Sequence, residues 1–258
     1  MIKTSGIVLK TTRYGETSLI VTLLTRDFGK ISAIANNART NRSRMLAGLQ
    51  LFAYSEIVMY KAKSKNGLYH LDEMNILHGF DGIRTDLDKT AYASYFSEAA
   101  LGAVAEDSPD EELLTLLLNS LFAIEKELCP FEKIKTVFEW RMAAELGYAP
   151  DLERCGACGT GDKIFGLSLS EGTIFCDDCQ SSHQGVAKLS PVMLKIIGYI
   201  IGAEGKKIFS FDTNEKTITY LSRVSEAYLS AQLDREFKTL SYLKKVTALG
   251  DINNANKD

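Results

Sequence analysis

Four of the chain's five cysteines fall between Arg154 and Gln180: Cys155, Cys158, Cys176 and Cys179. They form two C-x2-C pairs with seventeen residues between them. Two thiolates two residues apart can grip one ion from a single tight turn, and Gly156 and Gly159 permit the backbone such a turn needs. Two turns supply four soft ligands, which suits a tetrahedral Zn2+. The gap between the pairs lies in the range of a zinc site. Two rival readings are weaker. Disulfides belong to oxidising compartments, and the N-terminus "MIKTSGIVLK" has no apolar signal region. An iron–sulfur cluster would need a spacing that neither ferredoxin pattern provides.

A catalytic zinc keeps one position open, whereas four cysteines close the shell and blunt the metal's Lewis acidity. No H-x-E precedes the cysteines, so the deaminase signature is absent. His183 reads as an exposed loop histidine rather than a ligand. The cluster is therefore expected to hold one structural zinc and to staple a segment too short and polar to fold around its own core. Cys129, alone beside Pro130 and Phe131, reads as a buried structural thiol.

The net charge of −3 argues against a nucleic-acid binder, but its distribution reverses that argument. Residues 1–66 carry Lys3, Lys10, Arg13, Arg26, Lys30, Arg39, Arg42, Arg44, Lys61, Lys63 and Lys65 against Glu16, Asp27 and Glu56. That segment is +8 and the remainder −11. Such asymmetry points to a polyanion-binding face on the first part.

That first part reads as five strands. "GIVLK", "TSLIVTLLT" and "GKISAIA" are short β-rich runs with glycine-bearing joints at Tyr14–Glu16 and Asp27–Gly29. "LQLFAYSEIVMYK" predicts a longer strand with a bend at Ala53 to Ser55, and "LYHLDEMNIL" a fifth. The longest helical stretch among them is Asn41–Leu49. The pattern suits a small barrel such as the OB-fold. The basic loop "NNARTNRSR" at the barrel mouth is suited to backbone phosphates. Tyr14 and Tyr60 are the aromatics best suited to stack bases.

After Leu77 the period becomes helical. One helix is expected over "TDLDKTAYASYFSEAALGAVA". Another should open at Ser108–Pro109 with Glu111 completing a capping box, and a third should run from Phe131 to Gly147. Trp140 is expected in packing. Beyond the cysteines, Ser190–Pro191 opens a further helix, with two more over Glu215–Leu233 and Asp234–Val246. The fold class is α+β, with an OB-fold barrel over 1–79 and an all-α domain over 80–250. The zinc knuckle is inserted at about 151–185. Residues 251–258 are expected to be a disordered tail. No phosphate-cradling loop, G-x-S-x-G elbow or H-E-x-x-H is present, and no catalytic residues are assigned. The longest charge-free apolar stretch, Leu113 to Ile124, is too short to span a bilayer.

The assembled parts resemble the RecO family of recombination mediators. The segment "GIVLKTTRYGETSLIVTLLTRDFGKISAIANNAR", with its "YGE" turn and "TRDFGK" joint, is similar to that family's N-terminal strand pattern. The likeness continues in the cysteine knuckle and in "YLSAQLDREFKTLSYL". It implies a DNA repair protein that is not an enzyme and has a bound zinc. Such a protein binds single- and double-stranded DNA and anneals complementary strands. With RecR it loads the RecA recombinase on gaps coated by single-stranded-DNA-binding protein, whose C-terminal tail is a further partner. A cytoplasmic, nucleoid-associated bacterial protein without a membrane segment follows. The candidate DNA-contacting residues are Lys10, Arg13, Lys30, Arg39, Arg42, Arg44, Lys61, Lys63 and Lys65. The C-terminal set Arg235, Lys238, Lys244 and Lys245 is a competing track. Two other readings stay open: a zinc-stapled OB protein acting on RNA, and an adaptor whose basic face binds an acidic protein tail.

Overall fold

The structure, a computed structural model, describes residues 1–40, 45–61 and 68–255. Arg42, Arg44, Lys63 and Lys65 lie outside the described residues. Packing divides the chain into two compact units: Met1–Glu125 with Lys238–Asp258, and Lys126–Phe237. The helices expected to form one domain from residue 80 onward are thus shared between two units.

In the first unit, β1 (Ile2–Tyr14), β2 (Ser18–Thr25), β3 (Gly29–Ala35), β4 (Tyr54–Lys61) and β5 (Tyr69–His78) close into a barrel in the order β1-β2-β3-β5-β4. Only the β3–β5 pairing is parallel. The fold class expected from the sequence is therefore present. β1 is long because it serves two partners. Its first half pairs with β4 and its second half with β2, and the register shifts between Val8 and Lys10. Strand alternation sends Val21, Leu23, Ile31, Ala33, Ile57, Met59 and Leu71 into the barrel interior. The β2–β3 joint is fixed locally. Thr25 Oγ1 donates to the Gly29 carbonyl and accepts from the Phe28 amide. Gly29 sits at φ 61°, and a Cβ there would come within 1.8 Å of the Ser108 carbonyl oxygen. Both backbone conformation and space require glycine.

The long fourth strand expected from Leu49 does not start until Tyr54. Before it the chain is in turns, with Phe52 at φ 69° and the Val8 backbone bonded to both Phe52 and Ala53. Residues 45–50 likewise form turns rather than the expected helix. The short α1 (Asp81–Arg84) leads into α2 (Leu87–Ala103), which is capped by Asp86 accepting from the Lys89 amide. α2 buries residues on most of its sides, Tyr92, Tyr95, Phe96 and Ala99 among them. In α3 (Glu111–Glu125) the expected capping box is not used. Asp110 accepts from the Leu113 amide instead, so a side chain closer in sequence to the first turn than Ser108 takes the role. α8 (Lys238–Ala255) packs on α2. Glu98 on α2 accepts from both the amide and the hydroxyl of Thr239, capping α8 across 141 residues of sequence. α8 reaches Ala255, into the segment expected to be disordered.

The second unit holds α4 (Phe131–Glu145), then a sheet of β6 (Asp151–Cys155), β7 (Ile164–Ser168), β8 (Thr173–Cys176) and β9 (Val186–Lys188) in the order β6-β8-β7-β9. The one-turn α5 (Asp177–Gln180) follows β8, and α6 (Pro191–Gly202) and α7 (Glu215–Gln232) complete the unit. Ser190 caps α6 with Pro191 in its first turn, as its sequence predicts. α4 and α7 meet around a buried polar knot. Lys135 Nζ lies 3.0 Å from Glu139 and 3.1 Å from Glu226, and donates to the Ser222 carbonyl. Ser225 donates to Glu139 at 2.6 Å. Beside the knot, fully buried Trp140 packs on Tyr228, ring centroids 4.9 Å apart, and the Tyr228 hydroxyl donates to the Tyr148 carbonyl.

Candidate metal centre and nucleic-acid rim

Two strand ends build the cysteine cluster. β6 delivers Cys155, and the turn after it closes with the Gly159 amide on the Cys155 carbonyl at 2.8 Å, Gly159 at φ 73°. β8 delivers Cys176, and α5 carries Cys179 back alongside it. The Gly156 amide donates to the Ile174 carbonyl, which ties the first turn to β8. A Cβ at Gly156 would come within 2.6 Å of Thr173. The four sulfurs all lie within 4.8 Å of one another. Cys158 and Cys176 are 3.8 Å apart, about the edge of a tetrahedron with metal–sulfur bonds of about 2.3 Å. All five cysteines are unpaired, so no disulfide competes for these thiols.

Electrostatics also favours a cation here. Burial raises the Cys155 thiol, but amide donors from Cys176, Cys158 and Ala157 outweigh it and bring the group down to about 6. Hydrogen bonding with Cys176 and Cys158, together with burial, pushes Cys179 up to about 12. Four sulfurs this close cannot all ionise alone, whereas a divalent ion would hold all four as thiolates. The cluster could hold one metal ion, and its donor set fits zinc. His183 is not part of it. His183 lies half-buried in the bend after α5, where it stacks on Phe175 at 3.8 Å and 18°. Cys129 is half-buried, and burial pushes its thiol up.

The basic residues expected to contact DNA fall into three groups. Lys10, Arg13, Arg39 and Lys61 are exposed. Lys30 is half-buried, and its ammonium donates to the Leu101 carbonyl at 3.4 Å, so it is engaged within its own unit. The remaining four lie in undescribed segments. Arg13, Arg39 and Lys61 lie at strand ends linked by the segment that follows β3, whereas Lys10 stands further back along β1 opposite Thr22. Arg39 Nη1 donates to the Glu16 carbonyl at 2.8 Å and its amide to the Thr17 carbonyl, which pins the segment to the β1–β2 turn. Two residues of that segment extend the link: Asn37 accepts from Thr17, and Asn36 Nδ2 lies 3.5 Å from His70 Nδ1 at the start of β5. His70 pairs with Tyr60, next to Lys61 at the end of β4. One rim of the barrel therefore joins the β1–β2 turn to the β4 and β5 ends. Tyr14 and Tyr60, 51% and 45% exposed, stand on it. Phe28 and Tyr54 are half-buried, and Tyr69 and Phe52 are buried.

A family model for the N-terminal part of recombination protein O matches residues 1–80, and one for its C-terminal part matches residues 84–241. Among curated proteins, the DNA repair protein RecO of Acetivibrio thermocellus is 33% identical over 94% of this chain and 96% of its own length. The RecO of Alkaliphilus metalliredigens is 31% identical over 95% of the chain and 100% of its own length. That of Clostridium novyi is 30% identical over 95% of each. The chain belongs to the RecO family. It is thus related over nearly its whole length to DNA repair proteins. For a RecO protein, the closed barrel and the four-cysteine cluster are the two parts with evident chemistry: one suited to a polyanion, the other to a metal ion. Among the described residues, no helix is long and apolar enough to cross a membrane.

Sequence reasoning missed His70 and Asn36 as members of the rim. Alternation in β5 places His70 outside, between inward-facing Tyr69 and Leu71, and was the available signal. The C-terminal residues Arg235, Lys238, Lys244 and Lys245 are exposed, and Arg235 lies over the Phe237 ring at 5.9 Å.

Proposed function

We propose that this chain is a recombination mediator that binds and anneals single-stranded DNA through the barrel rim. With RecR it helps load RecA on gaps coated by single-stranded-DNA-binding protein. The observation that carries the reading is the exposed set Arg13, Arg39 and Lys61 at the linked strand ends, beside the exposed rings of Tyr14 and Tyr60, with exposed Lys10 further back along β1. Annealing two polyanions needs charge neutralisation and a surface that holds strands without reading sequence. A flexible strand supplies phosphates to the cations and π faces to the rings. Double-stranded DNA offers the phosphates alone. The acidic remainder of the chain, −11 outside residues 1–66, suits protein partners: RecR and the tail of the single-stranded-DNA-binding protein.

The cysteine cluster takes one zinc ion in a structural role, held by Cys155, Cys158, Cys176 and Cys179. With four thiolates no position is left for substrate, so the ion fixes the knuckle and the protein acts without turnover in the bacterial cytoplasm, on the nucleoid. Gel shifts with single-stranded DNA at two salt concentrations, followed by a strand-annealing assay, test the reading. Binding that falls steeply with salt is expected, with a slope of about 0.7 per phosphate contacted. Absent or salt-insensitive binding would sink the proposal.

A further inference from the structure

One pair on the barrel rim is explained neither by charge nor by packing in the core. Tyr60 and His70 are cross-strand partners on β4 and β5. Their rings lie 5.2 Å apart and 10° from parallel. Their neighbours Met59 and Leu71 point into the barrel core, so Tyr60 and His70 stand on its outer face. Tyr60 keeps 45% of its surface exposed. Its ring is thus backed by an imidazole on one face while much of it remains open to solvent. Asn36 reaches His70 from the segment that Arg39 pins to the β1–β2 turn, so the imidazole is held from a second strand end. Next to Tyr60, Lys61 carries its ammonium 5.3 Å from the Tyr69 ring.

We propose that Tyr60, backed by His70, is a stacking platform for one unpaired base of single-stranded DNA, and that it gives this barrel its preference for single strands over duplex. The proposal rests on the reading of the rim as a DNA surface and names the part of it that recognises a base. Every base has a π face, so stacking tolerates any sequence. In a duplex those faces are already covered by neighbouring pairs and cannot reach a ring on the protein. The cations beside the platform make no such distinction, because both forms of DNA present phosphates. Backing by His70 matters because a ring already held in place loses less freedom when a base settles on it.

The test uses the full-length, metal-loaded protein and fluorescence anisotropy with three labelled probes. They are an oligothymidine of about 16 nucleotides, matching the upper site size of one OB barrel, an abasic strand of the same length, and a duplex. Tyr60→Ala should weaken oligothymidine binding about 5- to 150-fold and leave the abasic strand and the duplex as in the parent. Tyr60→Phe should keep the affinity, and His70→Ala should lose part of it. Arg39→Ala should weaken all three probes together. Matching melting curves for parent and Tyr60→Ala keep a folding defect from passing as an effect. Parent-like binding of oligothymidine by Tyr60→Ala, or an equal loss on all three probes, would overturn the platform while leaving the DNA-binding reading intact. A parent that binds none of the probes would overturn both.

Discussion

In the barrel, Val8, Val21, Leu23, Ile31, Ile57 and Leu71 meet in one apolar cluster enclosed by paired strands. Around the knuckle, the corresponding cluster is Cys155, Phe175 and Cys176, with Cys179 and Val186 against it. Both are small β structures in one chain, but the first has the larger buried apolar cluster. In the second, two of the candidate metal-binding cysteines, Cys155 and Cys176, are themselves part of the buried cluster. A closed sheet has no free edge and holds itself by burial. A sheet of three- to five-residue strands has far less to hold it, and under the proposed reading a metal ion at its corner would supply the rest.

Metal removal probes that contrast most strongly. Structural zinc in small domains is bound with about 10–16 kcal/mol at neutral pH, and that energy is folding energy. Chelation, or Cys158→Ser, should unfold β6–β9 while the barrel strands remain protected, as hydrogen exchange would report. Equal loss of protection in the barrel would break the distinction. Next in size are changes that the barrel alone should feel. Leu23→Ala and Ile57→Ala should each cost about 2–5 kcal/mol in chemical denaturation without releasing metal. Gly29→Ala should cost more than the ~1–2 kcal/mol of left-handed backbone, because its Cβ would meet the Ser108 carbonyl.

The polar knot sharpens the comparison, since it is a third way to hold a region together. Lys135→Met leaves Glu139 and Glu226 without the ammonium between them. The expected loss is about 3–5 kcal/mol in the second unit, seen as a lower denaturation midpoint. Smallest in stability is Arg39→Ala, an exposed side chain whose main visible bond is to the Glu16 carbonyl. It should leave the melt almost unchanged and flatten the salt dependence of single-strand binding by about 0.7 if Arg39 meets one phosphate.

These regions were unequally legible in the sequence. The cysteine spacing specifies its site because metal geometry leaves few alternatives. The five strands were legible because alternation shows wherever one face is buried and the other is not. Turn chemistry was misread where two side chains could play one part. Asp110 rather than Ser108 caps α3, since both are good caps and only the final backbone path chooses between them. Lys30 looked like a surface cation because charge says nothing of direction, and its carbonyl partner, Leu101, is 71 residues away. The knot of Lys135 and Glu139 was hidden for the same reason. An i,i+4 pair of opposite charge looks the same in a solvated helix and a buried one, and its further partners come from α7.

The cap that Glu98 places on α8 sets an order of assembly. The second unit, Lys126–Phe237, is spliced into the first, whose last helix is made only after the whole insert. At roughly 5–20 residues per second of synthesis, Glu98 waits several seconds or more for Thr239 to emerge. During that interval α2 has no α8 to cover it, while the inserted unit is already complete enough to fold. The nascent chain thus exposes the flank of α2 until α8 has emerged, and a message cut short before Lys238 yields a barrel with a permanently bare helix. Such a product is one that chaperones and proteases can tell from the finished protein.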